Sequence, residues 1–183
     1  QLVRIGALGS LSRNLQAKFI APLLDRDDVQ FSVTVGDSKR LTKLLREHSL
    51  DVVLTTFQAT EEDSSELYTH LLAQSSLCLV AAKTFKTNRK ASVEVILSAS
   101  RCFLPSSSLE SRSDFDHYIE SHAIALQVAG ELDDVALLRI LARTGKGVVV
   151  IPRLAVATEI EIGSLVVLHE FKSVKQSFYA ITR

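Results

Sequence analysis

The chain has 183 residues, of which 46% are hydrophobic and 23% charged, and its 21 Lys plus Arg are balanced by 21 Asp plus Glu. That composition describes an ordered globular protein, long enough to bury roughly 70% of its unfolded surface. Zero formal net charge excludes bulk-charge binding of this stretch to DNA or anionic lipid; no apolar run approaches the roughly 18 residues of a membrane span, and no basic-then-apolar signal segment is present.

Residues 2–8 read as a strand. Gly9-Ser10-Leu11-Ser12 follows, and Ser10 or Ser12 can cap a helix. Leu15, Phe19, Leu23 and Leu24 then recur at helical spacing, with Pro22 predicting a kink or a shortened helix. Residues 30–35 alternate, placing Phe31, Val33 and Val35 on one face of a second strand. Gly36-Asp37-Ser38 is a turn and cap for a short helix lined by Leu41, Leu44 and Leu45, whose Lys39, Arg40, Lys43 and Arg46 read as a solvated face. Residues 51–55 form a buried strand ending at Thr56-Phe57. An acidic loop over 61–65, strand-like runs at 67–72 and 77–82, and a basic loop over 83–90 complete the first half.

The second half repeats the theme. Cys102-Phe103-Leu104 is a short strand ending in Pro105-Ser106-Ser107-Ser108, and a helix over 109–121 carries Phe115, Tyr118 and Ile119 as its apolar stripe. Residues 123–128 read as a strand. Gly130-Glu131-Leu132-Asp133-Asp134 reads as a turn and an acidic helix start, with the Asp pair as a cap. The helix over 135–143 stops on Gly145. The all-apolar strand 147–151 breaks at Pro152, and strands at 164–168 and 178–182 close the chain. The alternation of strand and helix occurs twice without a sequence repeat. It predicts an α/β protein with two Rossmann-like lobes facing each other across a central cleft.

No catalytic constellation is present, and no enzyme activity is expected. Gly6-Ala7-Leu8-Gly9 lacks the third glycine of a dinucleotide fingerprint and the Lys-Ser/Thr of a phosphate loop, so no cofactor is expected. His48, His70, His117, His122 and His169 are scattered without metal-ligand spacing, and no metal site is expected. Cys78 and Cys102 lie far apart inside apolar runs and read as buried thiols of a reducing cytoplasm. The convergent feature is a set of small hydroxyls at strand ends. Ser10 and Ser12 (with Leu11 between them), Thr56, and Ser106 with Ser107 stand where free helix amides make a cradle for an anion or a polar small molecule. Phe57 and Gly130 are expected to shape its wall.

The order and spacing of four segments resemble the effector-binding domain of LysR-type bacterial transcriptional regulators, which shares the fold of type 2 periplasmic binding proteins. These are Leu2-Val3-Arg4-Ile5-Gly6, the helix with Leu15, Pro22 and Leu23, Leu50-Asp51-Val52-Val53-Leu54, and Gly147-Val148-Val149-Val150-Ile151-Pro152-Arg153-Leu154-Ala155. Each motif alone is degenerate; together they span essentially the whole chain. The family's usual glycine two residues before the Leu-Asp pair is His48 here. That departure and the run from Gly130 to Leu138 are similar to one branch, the sodium-responsive activator of sodium/proton antiporter genes.

The resemblance implies lobe I from residues 1–74 plus 172–183 and lobe II from residues 75–171. It implies a winged helix-turn-helix DNA-binding domain and a linker helix ahead of Gln1, so that this stretch would be one domain of a longer cytoplasmic protein. It implies a small-molecule or ion effector, DNA as partner through that other domain, and a homodimer or homotetramer. Residues 12–25 and 30–35 of one subunit would meet residues 109–121 and 123–128 of the other. The rival expectation is a solute-binding protein of a transporter with the same fold.

Overall fold

The computed structural model describes residues 1–60, 66–107 and 109–183. The expected acidic loop at 61–65 and Ser108 lie outside the described residues. The elements run β1 (Leu2–Leu8), α1 (Arg13–Leu24), β2 (Gln30–Gly36), α2 (Ser38–Arg46), β3 (Val52–Thr55) and β4 (Tyr68–Ala82). Then come α3 (Val93–Ala99), β5 (Arg101–Pro105), α4 (Glu110–Ser121), β6 (Gln127–Leu132), α5 (Val135–Arg143) and β7 (Val148–Pro152). A 3₁₀ turn (Arg153–Val156), α6 (Ala157–Glu161) and β8 (Leu165–Thr182) finish the chain. Two compact units result, Gln1–Gln74 with Ser177–Arg183, and Ser75–Gln176.

In the first unit β1 is flanked by β2 and β3, both parallel to it. The end of β8 runs antiparallel to β3, with Ile181 opposite Val53. Helix α2 buries Leu41 and Leu45 against Leu50, Val53, Leu67 and Ile181. Gly6 allows that approach: a Cβ there would stand 2.8 Å from Leu50 Cδ1 and 3.1 Å from Leu41 Cδ2. Helix α1 continues through Pro22 to Leu24, so the expected early stop does not occur. The proline lacks the amide that would bond to the Lys18 carbonyl, so it removes one helical hydrogen bond without ending the helix.

In the second unit β5 pairs in parallel with β6 and β7, and β7 pairs antiparallel with the second part of β4. Alternate residues of the central strands feed two cores. Leu77, Leu79, Val148 and Val150 pack with Ile96, Leu97, Phe115 and Phe171. Cys78, Val80, Val149 and Ile151 pack with Leu138, Ala142, Val156 and Leu165. Because both faces are covered, β7 reads as an unbroken apolar run rather than an alternating one.

Two expectations need correction. The runs at 67–72 and 77–82 belong to one strand, β4, and those at 164–168 and 178–182 to another, β8. The polar residues between the runs find partners instead of breaking the strand: Gln74 Nε2 donates to Ser177 Oγ at 3.1 Å, and Ser75 Oγ accepts from Leu154 N at 2.9 Å. Second, the strand expected at 123–128 lies at Gln127–Leu132. Ala123 takes a left-handed φ of 50° after α4 and delays the strand. Gly130 therefore lies inside β6, opposite Phe103 and beyond a bulge, and not in a turn. The short helices α3 and α6 fall in stretches where no element is expected from the sequence.

Candidate functional site

In the first unit, β1 and β3 are parallel with Ala7 opposite Leu54, so Ser10 to Ser12 and Thr56 leave the same edge of the sheet. Two bonds shape the first loop: Gly9 N donates to Gly36 O at 3.0 Å and Leu11 N to Leu8 O at 2.9 Å. Leu11 is buried, and its carbonyl accepts from Gln16 Nε2 at 3.0 Å.

Ser12 is the N-cap of α1, yet its side chain makes no cap bond. Its Oγ is buried and has no hydrogen-bond partner, with the residue only 5% exposed. Two helices capped by aspartate behave differently. Asp37 Oδ1 accepts from Arg40 N at 2.8 Å, and Asp134 Oδ1 accepts from Ala136 N at 2.7 Å. Burying a hydroxyl without a partner costs free energy. A ligand atom at Ser12 could accept its proton or donate to it, next to the positive end of α1.

Thr56, the residue that follows β3, is buried. Phe57 N donates to Thr55 Oγ1 at 3.2 Å, and the Phe57 ring packs against the Leu41–Leu45 core rather than standing clear of it.

In the second unit, Ser106 and Ser107 follow β5. Ser106 N donates to Leu132 O at 2.9 Å, which ties this turn to the end of β6, two residues beyond Gly130. Ser107 is exposed. A Cβ at Gly130 would touch Phe103 at 3.6 Å, an ordinary contact, so packing does not require glycine there.

Two residues of this region escaped the sequence reading. Ser111, in the first turn of α4, is 1% exposed with an unpartnered Oγ. Arg112 is 8% exposed and uses all three guanidinium nitrogens: Nη1 to Pro105 O at 2.6 Å, Nη2 to Glu131 Oε1 at 2.8 Å and Nε to Asp116 Oδ1 at 2.7 Å. Burial opposes its charge, but the bonds to Glu131 and Asp116 outweigh that and raise its pKa above the ordinary arginine value. The Arg112–Asp116 pair at i, i+4 was the available signal. Glu131 and Asp134 are thus occupied by Arg112 and by the α5 cap.

Among the described residues no group of three or more His, Cys, Asp or Glu could hold a metal ion. Burial pushes the Cys78 and Cys102 thiols up to about 12, which leaves them protonated. No helix among the described residues is long and apolar enough to cross a membrane.

The family model described as the LysR substrate binding domain matches residues 1–183. No curated protein sequence matches the chain significantly. Among solved structures, the apo regulatory domain of HypT from Salmonella typhimurium superposes with a TM-score of 0.76 at 20% identity, covering 100% of this chain and 86% of that one. DarR from Vibrio fischeri, solved in complex with DNA, gives 0.77 at 20% identity, covering 99% of this chain and 61% of DarR. The effector-binding domain of QuiR in complex with shikimate gives 0.71 at 13% identity, covering 100% and 87%. At these identities the structures establish the fold, the α/β architecture of type 2 periplasmic binding proteins.

Proposed function

The chain belongs to the LysR substrate binding domain family, and we propose that it is the effector-sensing and oligomerisation domain of a cytoplasmic LysR-type transcriptional regulator. In this reading a small polar or anionic effector contacts Ser10, Ser12 and Thr56 of the first unit. Leu11 and Phe57 contribute shape. The observation that carries it is the buried, unpartnered Ser12 hydroxyl at the start of α1. A native domain that keeps an unsatisfied polar group gives up stability, and binding is the compensation that explains its retention. The domain boundaries follow the two crossings of the chain, near residues 74–75 and in the stretch 172–177.

DNA contact belongs, in this reading, to a separate domain of the same protein, consistent with the neutral charge here. The effector acts by favouring one arrangement of the oligomer over another. Edge strand β2 leaves Phe31, Val33 and Val35 at 37%, 38% and 42% exposed, and edge strand β6 leaves Val128 at 49%. Those apolar edges support an antiparallel dimer in which α1 and β2 of one copy meet α4 and β6 of the other.

Within the family, His48-Ser49-Leu50-Asp51 and the run from Gly130 to Leu138 favour the sodium-responsive activator of antiporter genes. Glu131 and Asp134 already have partners, so hydroxyls and carbonyls near Ser12 would supply the sodium ligands. Thermal unfolding of the domain in sodium chloride and in potassium chloride at equal ionic strength tests this branch, because a ligand of the native state raises its Tm. A higher Tm in sodium is expected. Equal values would remove the sodium branch and leave the effector-domain reading to a panel of organic anions.

A further inference from the structure

The stripe Lys39, Thr42, Lys43 and Arg46 does more than face solvent. These residues sit at i, i+3, i+4 and i+7 of α2 and line one wall of a groove of about 630 Å³. The floor is apolar, made by Phe57, Leu67 and Ile181, and the whole groove belongs to the first unit. Leu67 and Ile181 are core residues, so most of the accessible floor belongs to the partly buried Phe57. Lys39 makes no ion pair among the described residues, and Lys43 has only a 3.7 Å contact with exposed Glu47. A weak exposed pair of that kind is easily given up to a competing anion. None of Ser10, Leu11, Ser12 and Thr56 lines the groove, and Phe57 is the one residue it shares with the proposed effector contacts.

We infer that the α2 groove is a second binding site, separate from the Ser10–Ser12 loop, for an organic anion with an aromatic or branched apolar body. The size lies within the range of small-molecule sites, which join a mostly apolar surface to a few fixed polar groups. The head group would sit on Lys39 and Lys43, and the body on Phe57, Leu67 and Ile181. Three cations with one carboxylate, Glu47, on the α2 wall and an apolar floor opposite give such a ligand one orientation. An inorganic anion would gain only the screened surface charges.

The probe is 1-anilinonaphthalene-8-sulfonate, an anion with an aromatic body, followed by fluorescence on the folded domain. Saturable binding is expected. It should weaken by at least about tenfold in the Lys39→Glu/Lys43→Glu double variant, corresponding to roughly 1.4 kcal/mol. Thr42→Trp should weaken it similarly by filling the groove, and the uncharged N-phenyl-1-naphthylamine should bind more weakly than the sulfonate. Circular dichroism and Tm on each variant confirm folding. Binding unchanged in both folded variants overturns the site, as does the absence of saturable binding. Loss of binding in Ser12→Leu with retention in the α2 variants would also overturn it, while leaving the effector reading intact.

Discussion

Arg112 Nη1 donates to the Pro105 carbonyl at 2.6 Å, so a buried cation on α4 holds the end of the strand from which Ser106 and Ser107 follow. The same guanidinium bridges to Glu131 on β6 at 2.8 Å. One residue therefore sets the spacing of three elements at this edge of the second unit.

Replacing Arg112 by Ala should remove those bonds together. Glu131 and Asp116 are 44% and 42% exposed and can rehydrate, so neither is stranded as a buried charge. The Pro105 carbonyl is the group left without a partner. The expected loss is about 1.5–3 kcal/mol, the range for charge-assisted bonds, measured by urea unfolding. Lys at this position should recover little, because one ammonium cannot copy a three-way fork.

Ser12→Ala should behave unlike an ordinary N-cap substitution. Removing a cap serine usually costs about 1 kcal/mol. Here the hydroxyl makes no cap bond and is buried without a partner, so its removal should be neutral or stabilising. Urea unfolding of the ligand-free domain checks this. A loss near the usual cap value would show that the hydroxyl is satisfied in solution.

Gly147→Ala should destabilise the second unit. A Cβ there would collide with the Arg101 carbonyl oxygen and reach Phe103 Cε2 at 3.0 Å. The backbone of β5 would have to move, at a cost of about 1–3 kcal/mol typical of overpacking. Gly145, with φ of 68°, should also resist alanine, but for a conformational reason and not a steric one of this kind. Thermal melts of the two variants beside the parent give the comparison.

His169 should make stability pH-dependent. Desolvation holds its pKa below the ordinary histidine value, although Glu94 and Glu170 pull the other way. The unfolded chain then binds the proton more readily than the folded one. The contribution is fully present above the ordinary value near about 6.5 and is lost as pH falls through the lower folded value. His169→Gln should flatten the stability profile below about pH 6.5, where the unfolded chain takes up the proton first. An unchanged slope in that window would assign the dependence to other groups.

The strand–helix alternation, the extent of β1 and α5 and the buried run of β7 were legible because each carries its own local signal. The fusion of four strand-like runs into β4 and β8 was not, since it depends on partners more than 70 residues away in sequence, such as Leu154 for Ser75. The serines at strand ends could be read as a class. Their states could not: Ser12 and Ser111 are buried and unpartnered, whereas Ser107 is exposed. Spacing alone could not distinguish a capping hydroxyl from one left without a bond. Likewise Gly130 looked like a turn because a β-bulge leaves no mark in the hydrophobic pattern.

The most direct measurement is calorimetric titration of the domain and its folded Ser12→Leu variant with the compound that raises the parent's Tm most, taken from a panel of organic acids and sodium or potassium halides. The expected result is saturable binding to the parent and at least about a tenfold loss in Ser12→Leu. Equal affinity in the two proteins would contradict the placement of the effector at the start of α1.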